Sequence, residues 1–233
     1  MVATPHLFRL QFSVQSLVQD QINKASRLIP SSRITVTQAK KLRWVLIFLS
    51  LLTSGYHGNL VAAAIILVAD VVYNDLGFST WWFTKSLLNA VGYVGFQYGA
   101  VTIASATNDP IDNQVFGLVI TFGFLVFTTT HVQDFYDAEG DQAVGRQTAA
   151  TLYPKLSRVL AAMSISAWAM ALPIIWDITL MPSTIFTLLG TFVAGRFILL
   201  SGRKSDETSF LHYNIGILIG CILPAFREVR HLA

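Results

Sequence analysis

Charge is scarce in this chain. Lysine, arginine, aspartate and glutamate together make up 12% of its 233 residues, against roughly 25% in an average soluble domain. Too little polar surface is left to cover a globule in water, and mean hydropathy is +0.55. Cysteine is nearly absent. The one present, Cys221, lies in an apolar run, which excludes an internal disulfide and a cysteine metal cluster. No long polar linker interrupts the apolar segments, so residues 1–233 read as a single domain. No low-complexity tract or internal repeat is visible. No cleavable leader is expected, because Pro5, His6 and Arg9 break the first apolar stretch. The formal net charge is only +3, which gives no reason to expect nucleic acid. No protein partner is predicted either; the expected surroundings are a lipid bilayer.

What is present is a succession of apolar segments. A helix needs about 20 apolar residues to cross a bilayer core. Helices are expected at about 43–58, 59–73, 86–106, 114–133, 157–177, 181–201 and 208–226, preceded by a shorter piece from His6 to Gln19. At 1.5 Å per residue that piece covers only about 21 Å. The fold class is therefore an all-α integral membrane protein of seven to eight helices. Basic residues support this layout. Lys24, Arg27, Arg33, Lys40, Lys41 and Arg43 follow the first piece, Lys85 closes a later loop, Arg146, Lys155 and Arg158 lie in and just after 134–156, and Arg203 and Lys204 lie in 202–207. The intervening loops have none; 107–113 holds only Asp109 and Asp112. Basic loops thus alternate with loops that lack lysine and arginine, and the positive-inside rule puts the basic ones in the cytosol. Arg227 and Arg230 in the tail run weakly against the pattern.

The segment from His131 to Asp141 concentrates the acid. Of thirteen acidic residues in the chain, Asp134, Asp137, Glu139 and Asp141 fall within eight positions. Asp134, Asp137 and Asp141 are spaced i, i+3, i+7, so a helix would carry all three on one face. Carboxylates are the ligands magnesium prefers, usually one or two of them, with water and phosphate oxygens completing the shell. The stretch from Gln133 through Asp137, Gly140, Asp141, Gly145 and Arg146 to Thr148 resembles the second aspartate-rich motif of the UbiA superfamily of intramembrane prenyltransferases. That motif reads D-x-x-D-x-x-G-D-x-x-x-G-[RK]-x-T, and every fixed position is present.

A second stretch carries the same resemblance. Asp20-Gln21-Ile22-Asn23-Lys24-Ala25-Ser26-Arg27-Leu28-Ile29-Pro30 is similar to the family's D-x-I-N-K-P-x-R-P-I-P sequence, which follows its first aspartate-rich motif. There are departures. The family's first motif begins on an asparagine eight residues before Asp20, where this chain has Phe12, and two loop prolines are Ala25 and Leu28. The family typically has nine helices, so this chain is expected to lack the first of them. The run Asn74–Ala90 is similar to the fungal branch of the superfamily, whose members in secondary metabolism include prenyltransferases and membrane-bound terpene cyclases.

The resemblance implies a multi-pass UbiA-type bundle with its active-site loops facing the cytosol. It implies that Asp134, Asp137 and Asp141, with Asp20, hold Mg2+ against the diphosphate of an isoprenyl substrate. Lys24, Arg27 and Arg146 would contact that diphosphate, as a point charge and guanidinium forks suit phosphate oxygens. Asn74 and Tyr73, at the same end of their helix, are pocket candidates. The activity implied first is transfer of the prenyl group to an aromatic or other small acceptor. Terpene cyclisation on the same scaffold is the alternative, and a degenerate non-catalytic paralogue, suggested by Phe12, is the third. Trp81 and Trp82 read as an interfacial aromatic belt. Asp70 and Arg196, near helix ends, are either functional or snorkelling charges. His131 is placed to bond Asp134 or simply to end its helix.

Overall fold

The computed structural model describes residues 14–105 and 112–227. Phe12 and the part of the His6–Gln19 segment before Val14 lie outside the described residues, as do Asp109 and Arg230. The described residues form ten α-helices: α1 (Val14–Asn23), α2 (Val36–Tyr56), α3 (Leu60–Asn74), α4 (Trp82–Ser105), α5 (Asn113–Thr129), α6 (Gln133–Ala143), α7 (Ala149–Leu152), α8 (Pro154–Ile175), α9 (Leu180–Leu199) and α10 (Arg203–Ile222). There is no strand among them, only two isolated bridges.

The described part of each expected segment is helical, but several boundaries move: α4 begins at Trp82 rather than 86 and α10 at Arg203 rather than 208, and two further moves have plain physical reasons. α2 begins at Val36 rather than at 43, because Thr35 and Gln38 form a capping box. The Thr35 hydroxyl accepts from the Gln38 amide at 3.2 Å, and the Gln38 side chain accepts from the Thr35 amide at 2.8 Å. The acidic segment, expected as a loop from residue 134, is instead helix α6. A single 3-10 turn, Thr130–Val132, joins it to α5, so the helical run Asn113–Ala143 is 31 residues long. At 1.5 Å per residue that is about 46 Å, well beyond a core of roughly 30 Å. The acidic face lies on the length in excess of a span.

By length and composition, four helical runs can cross a membrane: Asn113–Ala143, Pro154–Ile175, Leu180–Leu199 and Arg203–Phe226; Leu60–Asn74 is a shorter apolar helix. α2 has no buried residue, and exposes Trp44, Leu46, Phe48 and Leu52. An apolar surface of that extent is a liability in water and the proper outer surface in lipid.

The chain folds as two compact units, residues up to Thr130 with Glu139–Thr148, and His131–Ala138 with residues from Ala149 on. In the first unit small residues bring α3, α4 and α5 together. A side chain at Gly95 would strike Ile66, and one at Gly123 would strike Val94, the close packing that membrane helices use. In the second unit Phe135, Ala161, Ile165, Val193, Phe197 and Tyr213 share one core. Arg158 organises it. Its guanidinium binds Asp206 through two bonds of 2.8 and 2.6 Å, donates to the carbonyls of Phe197 and Leu200, and lies 4.6 Å from the centre of the Phe135 ring. One side chain thus joins α8, α9 and α10. Arg196 donates to Ser209 at 3.2 Å, a structural duty. Replacing Arg158 by Met strands the buried Asp206 carboxylate. Thermal unfolding in detergent should then show a loss of about 3–5 kcal/mol; a change below about 1 kcal/mol contradicts this assignment.

Candidate active site

α6 carries Asp134 in its first turn. Asp134, Asp137 and Asp141 share a face of this helix, and all are buried, at 1%, 8% and 0% exposure. They are not a solvated acidic surface.

The two glycines of the segment have distinct geometric reasons. Gly145 ends α6 with a φ of +67°, the left-handed conformation that costs glycine least. The Gly145 amide donates to the Gln142 carbonyl at 3.0 Å and the Arg146 amide to the Asp141 carbonyl at 2.8 Å, a Schellman closure. The reversal returns Arg146 to Asp141, with 3.6 Å between guanidinium and carboxylate. Gly140 faces α1. A Cβ there would fall 2.4 Å from Asn23 Nδ2 and 2.6 Å from Asn23 Cγ, so no larger residue fits without a shift. The Gly140 amide donates to Asn23 Oδ1 at 3.2 Å.

α1 contributes a second link. Gln19 Nε2 donates to Asp141 Oδ1, and Gln19 Oε1 accepts from Arg146 at 3.1 Å. The next residue, Asp20, accepts two bonds from Arg27, at 2.9 and 3.1 Å. Lys24 begins the turn after α1, its amide bonded to the Asp20 carbonyl at 2.7 Å. The first unit therefore brings Gln19, Asn23, Asp141 and Arg146 together, with Asp20, Lys24 and Arg27 on the adjoining turn. Trp81 bridges the backbone of Gln147, and Lys85, one turn into α4, is buried at 7% exposure.

Asn74 is bonded at the end of α3. Its Nδ2 donates to Asp70 Oδ1 at 2.6 Å, and Asp70 in turn accepts from Arg43 at 2.6 Å. Arg43 also forks onto Asp75 at 2.9 and 2.7 Å. A cavity of about 640 Å³ between α2, α3 and α4 has Arg43 and Asp70 among otherwise largely apolar linings such as Leu46, Ile66 and Phe96; Tyr73 and Asn74 are not in its wall. Trp81 and Trp82 are exposed, as an interfacial belt requires. His131 Nε2 lies 3.4 Å from the Ser157 carbonyl, and its ring meets Phe135 edge-on.

Asn23 enters the sequence reading only as a motif position between Asp20 and Lys24, and Lys85 only as a topology marker. The glycine at 140 was the available signal for Asn23, since an obligatory glycine on a helix face marks close approach by another element.

The carboxylates suit a magnesium ion that arrives with a diphosphate. Asp137 and Asp141 are one turn apart, and one buried oxygen of each, Oδ1 and Oδ2 respectively, accepts no hydrogen bond, although both residues make other polar contacts. Among the described residues no three carboxylates, histidines or cysteines converge to hold a metal unaided. Magnesium binding by one or two carboxylates plus substrate oxygens requires no such cluster.

The Asn23–Gly140 contact has a direct check. It puts the two Cβ positions within about 4 Å, inside the range for a disulfide. In membranes carrying Cys221→Ser, the pair Asn23→Cys and Gly140→Cys should cross-link under mild oxidation, with the bond read by mass spectrometry. Two free thiols under those conditions contradict the contact.

The sequence profile of the UbiA prenyltransferase family matches residues 15–216. The fumagillin beta-trans-bergamotene synthase of Aspergillus fumigatus is 29% identical over 96% of this chain and 77% of its own length. A diterpene cyclase of Hericium erinaceus is 26% identical over 96% of this chain and 72% of its own length. A polyprenyl transferase of the same organism is 23% identical over 90% and 73%. A solved structure of digeranylgeranylglyceryl phosphate synthase superposes with a TM-score of 0.56 at 21% identity, covering 90% of this chain and 77% of that one, a likeness of fold. The helical membrane bundle and both motif stretches fall within these matches, and the chain belongs to the UbiA prenyltransferase family.

Proposed function

We propose that this chain is a membrane enzyme that binds an isoprenyl diphosphate and ionises its allylic C–O bond, and that the resulting carbocation closes on the substrate's own double bonds. The observation that carries the reading is the end of α6. A buried carboxylate face terminates in a glycine turn that brings Arg146 back to Asp141. Carboxylate and cation are thereby offered together, which is what a diphosphate accompanied by a metal needs.

In this reading Asp137 and Asp141, with Asp134 and Asp20, hold magnesium. When bound, the ion would neutralise charge that develops on the departing diphosphate. Arg146 forks onto a phosphate oxygen, Lys24 supplies a point charge, and Arg27 exchanges Asp20 for phosphate. The C–O bond breaks with its electron pair leaving on pyrophosphate. The apolar surroundings keep water from the cation, an internal alkene captures it, and loss of a proton yields a neutral hydrocarbon. The alternation of basic loops supports a cytosolic location for this end of the helices.

Cyclisation is put first because the relatives at 29% and 26% identity are named as a synthase and a cyclase. Transfer to a small acceptor is the second reading, favoured by the relative named as a polyprenyl transferase. Membranes incubated with Mg2+ and either farnesyl or geranylgeranyl diphosphate alone separate them. A cyclic hydrocarbon with equimolar pyrophosphate is the expected result. Pyrophosphate release that appears only with an added aromatic acceptor assigns transfer instead. Asp137→Asn and Asp141→Asn should each lower release by about 10²-fold or more. A folded protein that releases none with either substrate, with or without acceptor, is a non-catalytic paralogue.

A further inference from the structure

The contact between Arg146 and Asp141 is unusual for its chemistry. A guanidinium and a carboxylate left to themselves close to about 2.7–2.9 Å, usually through both arms of the fork. Here Arg146 NH1 stays 3.6 Å from Asp141 Oδ1. Gln19 is bonded to both of these atoms, donating from Nε2 to Asp141 Oδ1 and accepting at Oε1 from Arg146 NH1 at 3.1 Å. Its carboxamide is self-complementary to an ion pair, with one donor for the anion and one acceptor for the cation.

We propose that Gln19 is a positioning residue that holds Arg146 and Asp141 apart, so that the cation is ready for a phosphate oxygen and the carboxylate for a metal. The inference rests on the diphosphate-binding reading given above. Without the carboxamide the two charges close into a direct fork, and an incoming diphosphate must first break it. Gln19 is suited to this role by its place. It lies one turn before Asn23 on α1, and Asn23 is held against Gly140, so the carboxamide reaches the Asp141 side of α6 from a fixed backbone. A neutral side chain of this length satisfies both charges without cancelling either. A glutamate would repel Asp141, and an asparagine is one methylene short.

Inorganic pyrophosphate with Mg2+ is the probe, titrated calorimetrically into purified protein in detergent. Gln19→Met keeps the length and volume and removes both bonds. Its pyrophosphate affinity should fall about tenfold, in the range set by one or two lost charge-assisted hydrogen bonds, and Gln19→Asn should fall less. In activity assays the loss should appear in KM more than in kcat. The Asn23→Cys, Gly140→Cys cross-link, introduced into the Gln19→Met background, should form as readily as with Gln19 present. Affinity in Gln19→Met within twofold of the unaltered protein overturns the proposal. So does a loss of affinity matched by loss of the cross-link in both Gln19 variants, which makes Gln19 a structural tie. If the unaltered, folded protein binds no pyrophosphate at any Mg2+ concentration, the diphosphate reading itself fails and this inference with it.

Discussion

The approach of Asn23 to Gly140 is the constraint on which the candidate site depends. The glycine at 140 leaves room for the Asn23 carboxamide against α6, since a Cβ there would fall 2.4 to 2.8 Å from its atoms. Once α1 is there, Gln19 reaches Asp141 and Arg146, and the turn carrying Lys24 and Arg27 follows directly. Gly145 supplies the complementary constraint within α6. Its left-handed φ reverses the chain at the one place from which Arg146 returns to Asp141. The spacing G-D-x-x-x-G-R is therefore a record of two backbone requirements flanking one carboxylate.

The same economy of charge runs through the rest of the molecule. A chain made for lipid has few ionisable groups, and several of those within its helices are paired or bonded. Arg158 holds Asp206, Arg43 holds Asp70 and Asp75, and Arg196 holds Ser209. Removing a charge from water is costly unless its partner is at hand. These pairs lie at helix ends or between helices, where they fix relative position, while the outward faces of helices such as α2 are left to apolar side chains. α6 adds three carboxylates buried on one face of a single helix, with Asp141 among them paired to Arg146.

Much of this was legible in the sequence. The helix order followed from apolar runs checked by alternating basic loops, and the aspartate segment carried the resemblance to the family. What was not legible depended on tertiary contact. The acidic segment looked like a loop because its composition is polar, yet it is a helix continuing from α5 through one 3-10 turn. The bonds of Asn74 to Asp70 and of Asp70 to Arg43 link α3 to α2, which no local sequence pattern announces. The partners of Gln19 were hidden, since register along α1 says nothing about the side chains it meets on α6. Arg43 and Arg158, read as topology markers, are structural keystones whose partners lie 27 to 48 residues away in sequence.

The central claim is that α1 and the end of α6 together receive a diphosphate. The most direct measurement is an experimental structure with Mg2+ and a thiolodiphosphate analogue of farnesyl diphosphate, whose C–S bond resists ionisation. The account predicts diphosphate density within bonding distance of Arg146 and Lys24, with a metal ion against Asp137 and Asp141. Diphosphate bound elsewhere, or an undisturbed Gln19–Asp141–Arg146 contact in protein saturated with the analogue, would contradict it.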